Sequence, residues 1–220
     1  MKRSVLFLLV FAMAVTSCKK SKDDVSNPES RDSYQPVTTG SFWKYKVSGG
    51  LFNYETTATA TGKTTTINGI NYNILTSTGG SSVGEGYYGY KDGKYYTRVA
   101  GVSPNTGASF DLNMLYLNEN AKPGDTWTNE AGQGNGFSAK TPGKLIAKGL
   151  KMTVAGKTYT DVIHTEVILQ YVLPEIGVMN TGYYQYYIVK GVGIIKIEFR
   201  TEDIDEDPLS ITELTDYQIK

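Results

Sequence analysis

Gly40-Ser41-Phe42-Trp43-Lys44-Tyr45-Lys46-Val47 is the stretch that decides how this chain folds. The apolar side chains of Trp43, Tyr45 and Val47 alternate with two lysines. Successive side chains of a β-strand point to opposite faces of a sheet, so this period predicts a strand with one buried face. Since no part of the sequence shows a convincing long helical period, we predict an all-β fold.

Turn signals predict that the strands are joined as antiparallel hairpins in a meander. The 24 glycines and 17 tyrosines fit this, because glycine punctuates turns and tyrosine favours strands. Short turns are predicted at Asn68-Gly69, Asp92-Gly93, Ala155-Gly156 and Gly191. The glycine-rich stretches 79–86 and 132–136 are predicted to be loops. Residues 110–117 alternate as a strand does, although their length also allows a short helix.

Three motifs occur twice in the same order, which predicts an internal duplication. The paired segments are Gly40–Trp43 with Gly124–Trp127, Ile67–Tyr72 with Val154–Tyr159, and the tyrosine-rich hairpin Tyr87–Tyr96 with Tyr183–Gly193. We therefore expect two similar β units, about 33–117 and 118–220. They would form a curved sheet, a sandwich or a partly open barrel.

The N-terminus has the features of an export signal. Lys2 and Arg3 precede a short apolar run at 5–15, and Val15-Thr16-Ser17-Cys18 resembles a bacterial lipobox. We predict a signal peptide at 1–17 and lipidation, including palmitate, of Cys18, the only cysteine of the chain. Several acyl chains on one cysteine would anchor the protein durably to a membrane.

Residues 18–32 are predicted to form a polar, flexible tether between the lipid and a β-rich domain at 33–220. Lys19 is not the aspartate that retains lipoproteins at the inner membrane of enteric bacteria, so we expect the outer membrane. Lys22-Asp23-Asp24 resembles the surface-export signal of Bacteroidetes lipoproteins, although that signal lies closer to the cysteine. We favour the cell surface and leave the periplasmic side open.

Four motifs resemble small β-rich outer-membrane lipoproteins of Bacteroidetes. They are Tyr34-x-Pro36 with Gly40-x-x-Trp43-x-Tyr45, Gly124-Asp125-x-Trp127, Gly156-Lys157-Thr158-Tyr159-x-Asp161-Val162-Ile163, and Lys190-Gly191-Val192-Gly193-Ile194-Ile195-Lys196. The resemblance covers most of the chain after the signal peptide. It implies a cellular location and an architecture but no activity.

Composition and motifs argue against several classes of function. The chain has 22 basic and 22 acidic residues, so it lacks the basic field of a nucleic-acid-binding protein. His164 is the single histidine, and no Gly-x-Ser-x-Gly elbow accompanies it. The acidic run 202–207 could hold a cation, but it lacks the EF-hand glycine and reads better as a solvated loop. We predict no catalytic residues, no metal and no cofactor.

Tyrosines on the two matching hairpins are the best candidates for ligand contacts. Tyrosine offers a flat apolar face and a hydroxyl, which suits a glycan, a peptide or another envelope protein. Alternation places some of these rings in the core and the others on a second face. The candidate binding residues are Tyr87, Tyr88, Tyr90, Tyr183, Tyr184 and Tyr186.

The sequence therefore predicts a non-catalytic, lipid-anchored envelope protein with a ligand- or partner-binding domain. A structural or assembly accessory of an outer-membrane complex is the alternative. A hydrolase that uses carboxylates or a metal is the least favoured hypothesis.

Overall fold

The computed structural model describes residues 32–50, 52–79, 82–102, 107–201 and 207–220. The predicted signal peptide, Cys18 and the tether up to residue 31 lie outside the described residues, as do residues 202–206 of the acidic loop. The described part of the chain contains no helix that is long and apolar enough to cross a membrane.

Twelve strands make up the regular structure of the described residues. They are β1 (Phe42–Gly49), β2 (Phe52–Ile67), β3 (Ile70–Gly79), β4 (Ser82–Lys91), β5 (Lys94–Val102), β6 (Ser109–Asn118), β7 (Thr126–Gly134), β8 (Phe137–Val154), β9 (Lys157–Leu173), β10 (Gly177–Val189), β11 (Gly193–Arg200) and β12 (Ser210–Gln218). The segment 110–117 is therefore strand rather than helix.

Each strand pairs antiparallel with the next, and β12 returns to pair with β1. The closing ladder sets Trp43 opposite Tyr217 and Val47 opposite Thr212. The predicted all-β antiparallel meander is confirmed. Of the three expected architectures the barrel is the one formed, and it is closed, so its two terminal strands present no open edge to solvent.

The alternation in β1 sets which face is buried. Trp43, Tyr45 and Val47 are 1%, 7% and 7% exposed, while Lys44 and Lys46 face solvent. Trp43 Nε1 donates to Val192 O at 2.6 Å, and Tyr45 Oη donates to Ile194 O at 3.0 Å. Burial of one such side chain contributes about 1.5–3 kcal/mol. The strand therefore ties the start of the barrel to the β10–β11 hairpin.

Two large apolar clusters lie inside the barrel, and Tyr88 packs against both of them. One cluster centres on Tyr116, Leu145 and Ile188, each fully buried. Ring contacts run through the interior from Tyr34 past Tyr95, Tyr116, Tyr186 and Tyr184 to Phe199, with centroids 4.9–6.3 Å apart. The interior is thus a packed core, since aromatic pairs add stability beyond the area they bury.

A short N-terminal segment packs against one end of the barrel. Ser33 is 1% exposed, and its carbonyl accepts a hydrogen bond from Gly191 N at 2.8 Å. Tyr34 N donates to Tyr95 Oη at 3.3 Å, and Gln35 is buried. The described segment from Ser33 to Gln35 therefore lies at the end of the barrel that carries the turn between β10 and β11.

Two loop predictions were wrong. Gly79 ends β3, and residues 82–86 belong to β4, where Gly84 pairs with Ser77 and Gly86 with Leu75. Residues 132–134 end β7, leaving only Asn135-Gly136 as a turn. A Cβ at Gly79 would meet Glu55 O at 2.5 Å, so glycine here permits close strand approach instead of marking a loop.

The repeated motifs fall on strands six apart around the barrel. Gly40–Trp43 leads into β1 and Gly124–Trp127 into β7, while the other two pairs lie on β2–β3 with β8–β9 and on β4–β5 with β10–β11. β6 ends at Asn118, beside the expected boundary between the two units. The duplication itself stays a prediction.

The two-residue turns give a test of local stability. The hairpin turn Ala155-Gly156 has φ of 47° and 81°, and Ala155 is exposed. A left-handed conformation costs an ordinary L-residue about 1 kcal/mol, whereas asparagine tolerates it. We expect Ala155→Asn to raise the free energy of unfolding by up to about 1 kcal/mol in urea denaturation followed by tryptophan fluorescence. Gly156→Ala is the opposing control and should lower it; no gain from Ala155→Asn would contradict this account of the turn.

Candidate ligand-binding groove

The six candidate tyrosines do not share one surface. Tyr88, Tyr90, Tyr184 and Tyr186 point into the barrel and pack against its core, and Tyr186 is 4% exposed. The remaining two lie on the outer face, where Tyr87 packs beside Tyr72 and Tyr96, and Tyr183 accepts a hydrogen bond from Asn180 Nδ2. The structure thus separates the set by strand alternation.

Burial keeps the inward tyrosines neutral. It raises the pKa of Tyr88 and of Tyr184 to about 12, and it raises the pKa of Tyr186 further. Desolvation is the first cause in each case, because burial penalises the charged phenolate. These hydroxyls therefore serve the packed interior, and a ligand site has to be sought on the outside.

His164 lies on the outer face of β9 in a network of neutral and acidic groups. Its Nε2 is 2.6 Å from Gln185 Oε1, and Gln185 Nε2 donates to Glu166 Oε2 at 2.8 Å. Because the carboxylate can only accept, the glutamine oxygen faces His164, which must donate from Nε2. The ring also stacks on Tyr187 at 4.4 Å. His164 therefore contacts an amide rather than a nucleophile.

A groove of about 580 Å³ runs along the outer face of the barrel. We call it the β3–β7 groove. Its apolar floor includes Ile67, Ile70 and Tyr72. Its polar walls include Arg98, Asp111, Asn113, Asn129, Glu130 and Gln133. Its volume lies in the ~300–1,000 Å³ range of small-molecule sites.

The groove lies where β6 and β7 diverge. The two strands pair only from Phe110–Leu112 to Gly132–Gly134 in the described residues. Beyond that ladder, toward the start of β7, Asn129 Nδ2 donates to Asn113 O at 2.7 Å, and Trp127 Nε1 donates to Leu115 O at 3.3 Å. Side chains of β7 thus satisfy β6 carbonyls that a regular ladder would pair with backbone N–H groups.

The outer face of the sheet is concave between β3 and β6, and this curvature brings the two sides of the groove together. Tyr72 Oη on β3 donates to Asn113 Oδ1 on β6 at 2.5 Å, across the intervening β4 and β5. A contact over that many strands requires the sheet to curl outward, because neighbouring strands are about 4.8 Å apart. Tyr72, Tyr96 and Leu115 are accordingly buried on the outer side.

Ion pairs occupy the charged groups of the walls. Arg98 approaches both carboxylate oxygens of Asp111, with Nε–Oδ1 and Nη2–Oδ2 distances of 2.8 Å, and its guanidinium lies 5.3 Å from the Tyr87 ring centroid. Glu130 pairs with Lys140 at 3.2 Å. Within the described residues, no group of three His, Cys, Asp or Glu side chains could hold a metal ion. Residues 202–206 of the acidic run, which the sequence offered as a candidate cation site, lie outside the described part of the chain.

None of the six candidate tyrosines lines this groove, and the sequence did not predict its polar walls. Arg98 and Asp111 lie diagonally across β5 and β6, on strands whose register shifts at a bulge between Tyr95 and Tyr96. Alternation shows which face a side chain takes, but it does not show which residue it meets on the next strand. No signal in the sequence marked Asn113 or Asn129.

Two solved structures are similar to this chain over most of its length. One, from Parabacteroides distasonis, is described provisionally as a lipoprotein; it has a TM-score of 0.52 and 12% identity, with 84% of this chain and 98% of that chain covered. The other, from Bacteroides fragilis, is described provisionally as an exported protein with a YmcC-like fold; it has a TM-score of 0.51 and 11% identity, with 83% and 97% covered. At these identities the likeness shows a shared fold.

No protein-family model matches the sequence, and no curated protein matches it.

The single histidine makes the His164 network testable by NMR. Burial lowers the pKa of His164 below its ordinary value of 6.5. The unfolded chain therefore binds the proton more readily, so the stability this site contributes is full above pH 6.5 and is lost as the pH falls through the folded-state pKa. We expect a ¹H–¹⁵N titration to give a pKa below 6.5 and a proton on Nε2 at neutral pH.

His164→Gln is the matched variant, since it keeps a donor near Gln185 but cannot titrate. It should remove the part of the pH dependence of unfolding that begins near pH 6.5. A measured pKa at or above 6.5, or a neutral ring protonated on Nδ1, would contradict the assigned network.

Proposed function

We propose that this chain is a non-catalytic, lipid-anchored protein of the outer membrane whose barrel binds a ligand or partner in the β3–β7 groove. The observation that carries the proposal is the outward-curled face at the β6–β7 divergence, with its walls of fixed polar side chains. Such a concave site with positioned polar groups is the usual form of a binding site.

The anchor part of the proposal rests on the N-terminal sequence. A charged start, an apolar run and a lipobox-like tetrapeptide ending in Cys18 fit a lipoprotein, and the two structural neighbours carry provisional names of a lipoprotein and an exported protein. The Lys22-Asp23-Asp24 motif supports the cell-surface side over the periplasmic side. Membrane attachment would then occur through the lipid on Cys18.

Two observations support a non-catalytic role. His164 is held by Gln185 and by stacking on Tyr187, away from the groove. The groove carboxylates Asp111 and Glu130 are each engaged in an ion pair, with Arg98 and Lys140 respectively.

A second candidate function is favoured by the opposite end of the barrel. Large apolar side chains are exposed near the β1–β2, β5–β6, β9–β10 and β11–β12 connections, all at the end away from the Ser33 segment. They are Tyr54, Val99, Val102, Ile176, Val178, Met179 and Leu209, at 40–74% exposure. Exposed apolar residues gathered at one end are typical of a protein contact, so this end supports the assembly-accessory alternative.

Photo-crosslinking in living cells tests the proposed function. A photoreactive amino acid would replace Gln133 in the groove or, as a matched control, the exposed Gln218 on β12. We expect a defined mass adduct at position 133 and none at 218, because the groove holds its ligand close to β7. Equal adducts at both positions, or none at either, would overturn binding in the groove.

Cys18→Ala serves as the anchor control in the same cells. It should move the protein from the membrane fraction to the soluble fraction, since the acyl chains supply the attachment. Proteinase added to intact cells should digest the unchanged protein if the barrel faces outward. Retention of the Cys18→Ala protein in the membrane would remove the lipid anchor from the proposal.

A further inference from the structure

Hydrogen bonds fix the side-chain amides of the two groove asparagines so that one has a free donor and the other a free acceptor. Asn113 Oδ1 accepts a hydrogen bond from Tyr72 Oη, which leaves Asn113 Nδ2 as a donor. No acceptor among the described residues forms a hydrogen bond with that Nδ2. Asn129 Nδ2 donates to Asn113 O at 2.7 Å and to Thr141 Oγ1 at 3.2 Å, so Asn129 Oδ1 is left as an acceptor. The groove therefore offers one oriented donor beside one oriented acceptor.

The charge of the walls disfavours an anionic ligand. Arg98 is occupied by Asp111 in two contacts of 2.8 Å, and Lys140 is occupied by Glu130. These four side chains sum to zero charge, and the carboxylates are more exposed than their partners, at 57% and 73%. A phosphate or carboxylate would meet two carboxylates and no unpaired cation.

About half of the accessible lining of the groove is apolar. Ile67 is only half-buried, although three other apolar residues are covered. Ile70 is 8% exposed, Tyr72 is 1% exposed and Ala131 is fully buried. Peptide recognition on a β surface draws specificity from pockets for alternate side chains, and such pockets need accessible apolar area. A ligand in this groove meets polar and apolar atoms together, which favours a ligand that carries hydroxyl groups and C–H surface side by side.

We infer that the β3–β7 groove binds a neutral, hydroxyl-rich ligand, namely a short segment of an oligosaccharide. A hydroxyl both donates and accepts, so one hydroxyl can satisfy Asn113 Nδ2 and Asn129 Oδ1 together. The inference rests on the proposed function and narrows it to a ligand class. Without an exposed aromatic platform in the walls, the affinity should be weak, in the range of about 1 mM.

Asn113→Asp is the most direct test variant. Aspartate has the same shape and still accepts from Tyr72 Oη, but it replaces the Nδ2 donor with a second acceptor. Asn71→Asp is the matched control, because Asn71 is exposed, neighbours Tyr72 on β3 and so points to the opposite face. Both variants add one negative charge, so a general charge effect would appear in both.

Binding would be measured by titrating neutral hexasaccharides of glucose, mannose, xylose and N-acetylglucosamine into the full chain. The protein would be held in a zwitterionic detergent without a sugar headgroup, and shifts of the asparagine side-chain amide signals would report binding. We expect at least one neutral hexasaccharide to shift the Asn113 and Asn129 signals. Asn113→Asp should weaken that binding about tenfold or more, since the shared hydroxyl has a single proton and would then face two acceptors, at positions 113 and 129.

Several outcomes would overturn the inference. Saccharide binding that Asn113→Asp leaves unchanged would place the site elsewhere, and preference for an oligogalacturonate or for a neutral glycine-serine peptide would reject the ligand class. If no saccharide binds while position 133 still forms its specific adduct in cells, the oligosaccharide is wrong and the proposed function stands. If both experiments fail, the proposed function fails with it.

Discussion

The ladder between β6 and β7 ends after three residue pairs, and the way the two strands then part shapes the rest of the molecule. Unpaired backbone groups are costly when buried, so the divergence needs other partners. Asn129 and Trp127 donate to the carbonyls of Asn113 and Leu115, and Thr165 Oγ1 of β9 donates to Tyr116 O at 2.7 Å. Side-chain donors thus hold β6 away from β7 and leave a groove between them.

The packed interior explains why the groove, rather than the lumen, is the candidate site. Tyr116, Leu117 and Leu145 are fully buried, and a series of ring contacts fills the barrel from Tyr34 to Phe199. A barrel filled in this way has a core and not a channel. Binding groups must then stand on the outer face, where the curl of β3–β7 gathers them.

Sequence patterns predicted the parts of this structure that depend on local geometry. The period of Trp43, Tyr45 and Val47 predicted a buried face, and Asn-Gly and Asp-Gly pairs predicted turns that the structure contains. The glycine-rich segments were harder, because pairing with neighbours makes strands at 82–86 and 132–134 that composition does not suggest. Barrel closure and the groove depend on register between strands. Nothing in the sequence around Asn113 indicates that its side chain contacts Tyr72.

Residue-resolved amide hydrogen exchange across β7, measured by NMR, tests the central claim that this strand has left β6. Before Gly132 in the sequence, β7 keeps its ladder with β8, which pairs Thr126 with Lys144 and Glu130 with Lys140. Alternate backbone amides of a strand face opposite neighbours. The account predicts slow exchange for residues of 126–130 whose amides face β8 and fast exchange for those that face β6. Uniformly slow exchange along 126–130 would show a continuous β6–β7 ladder and would contradict the groove.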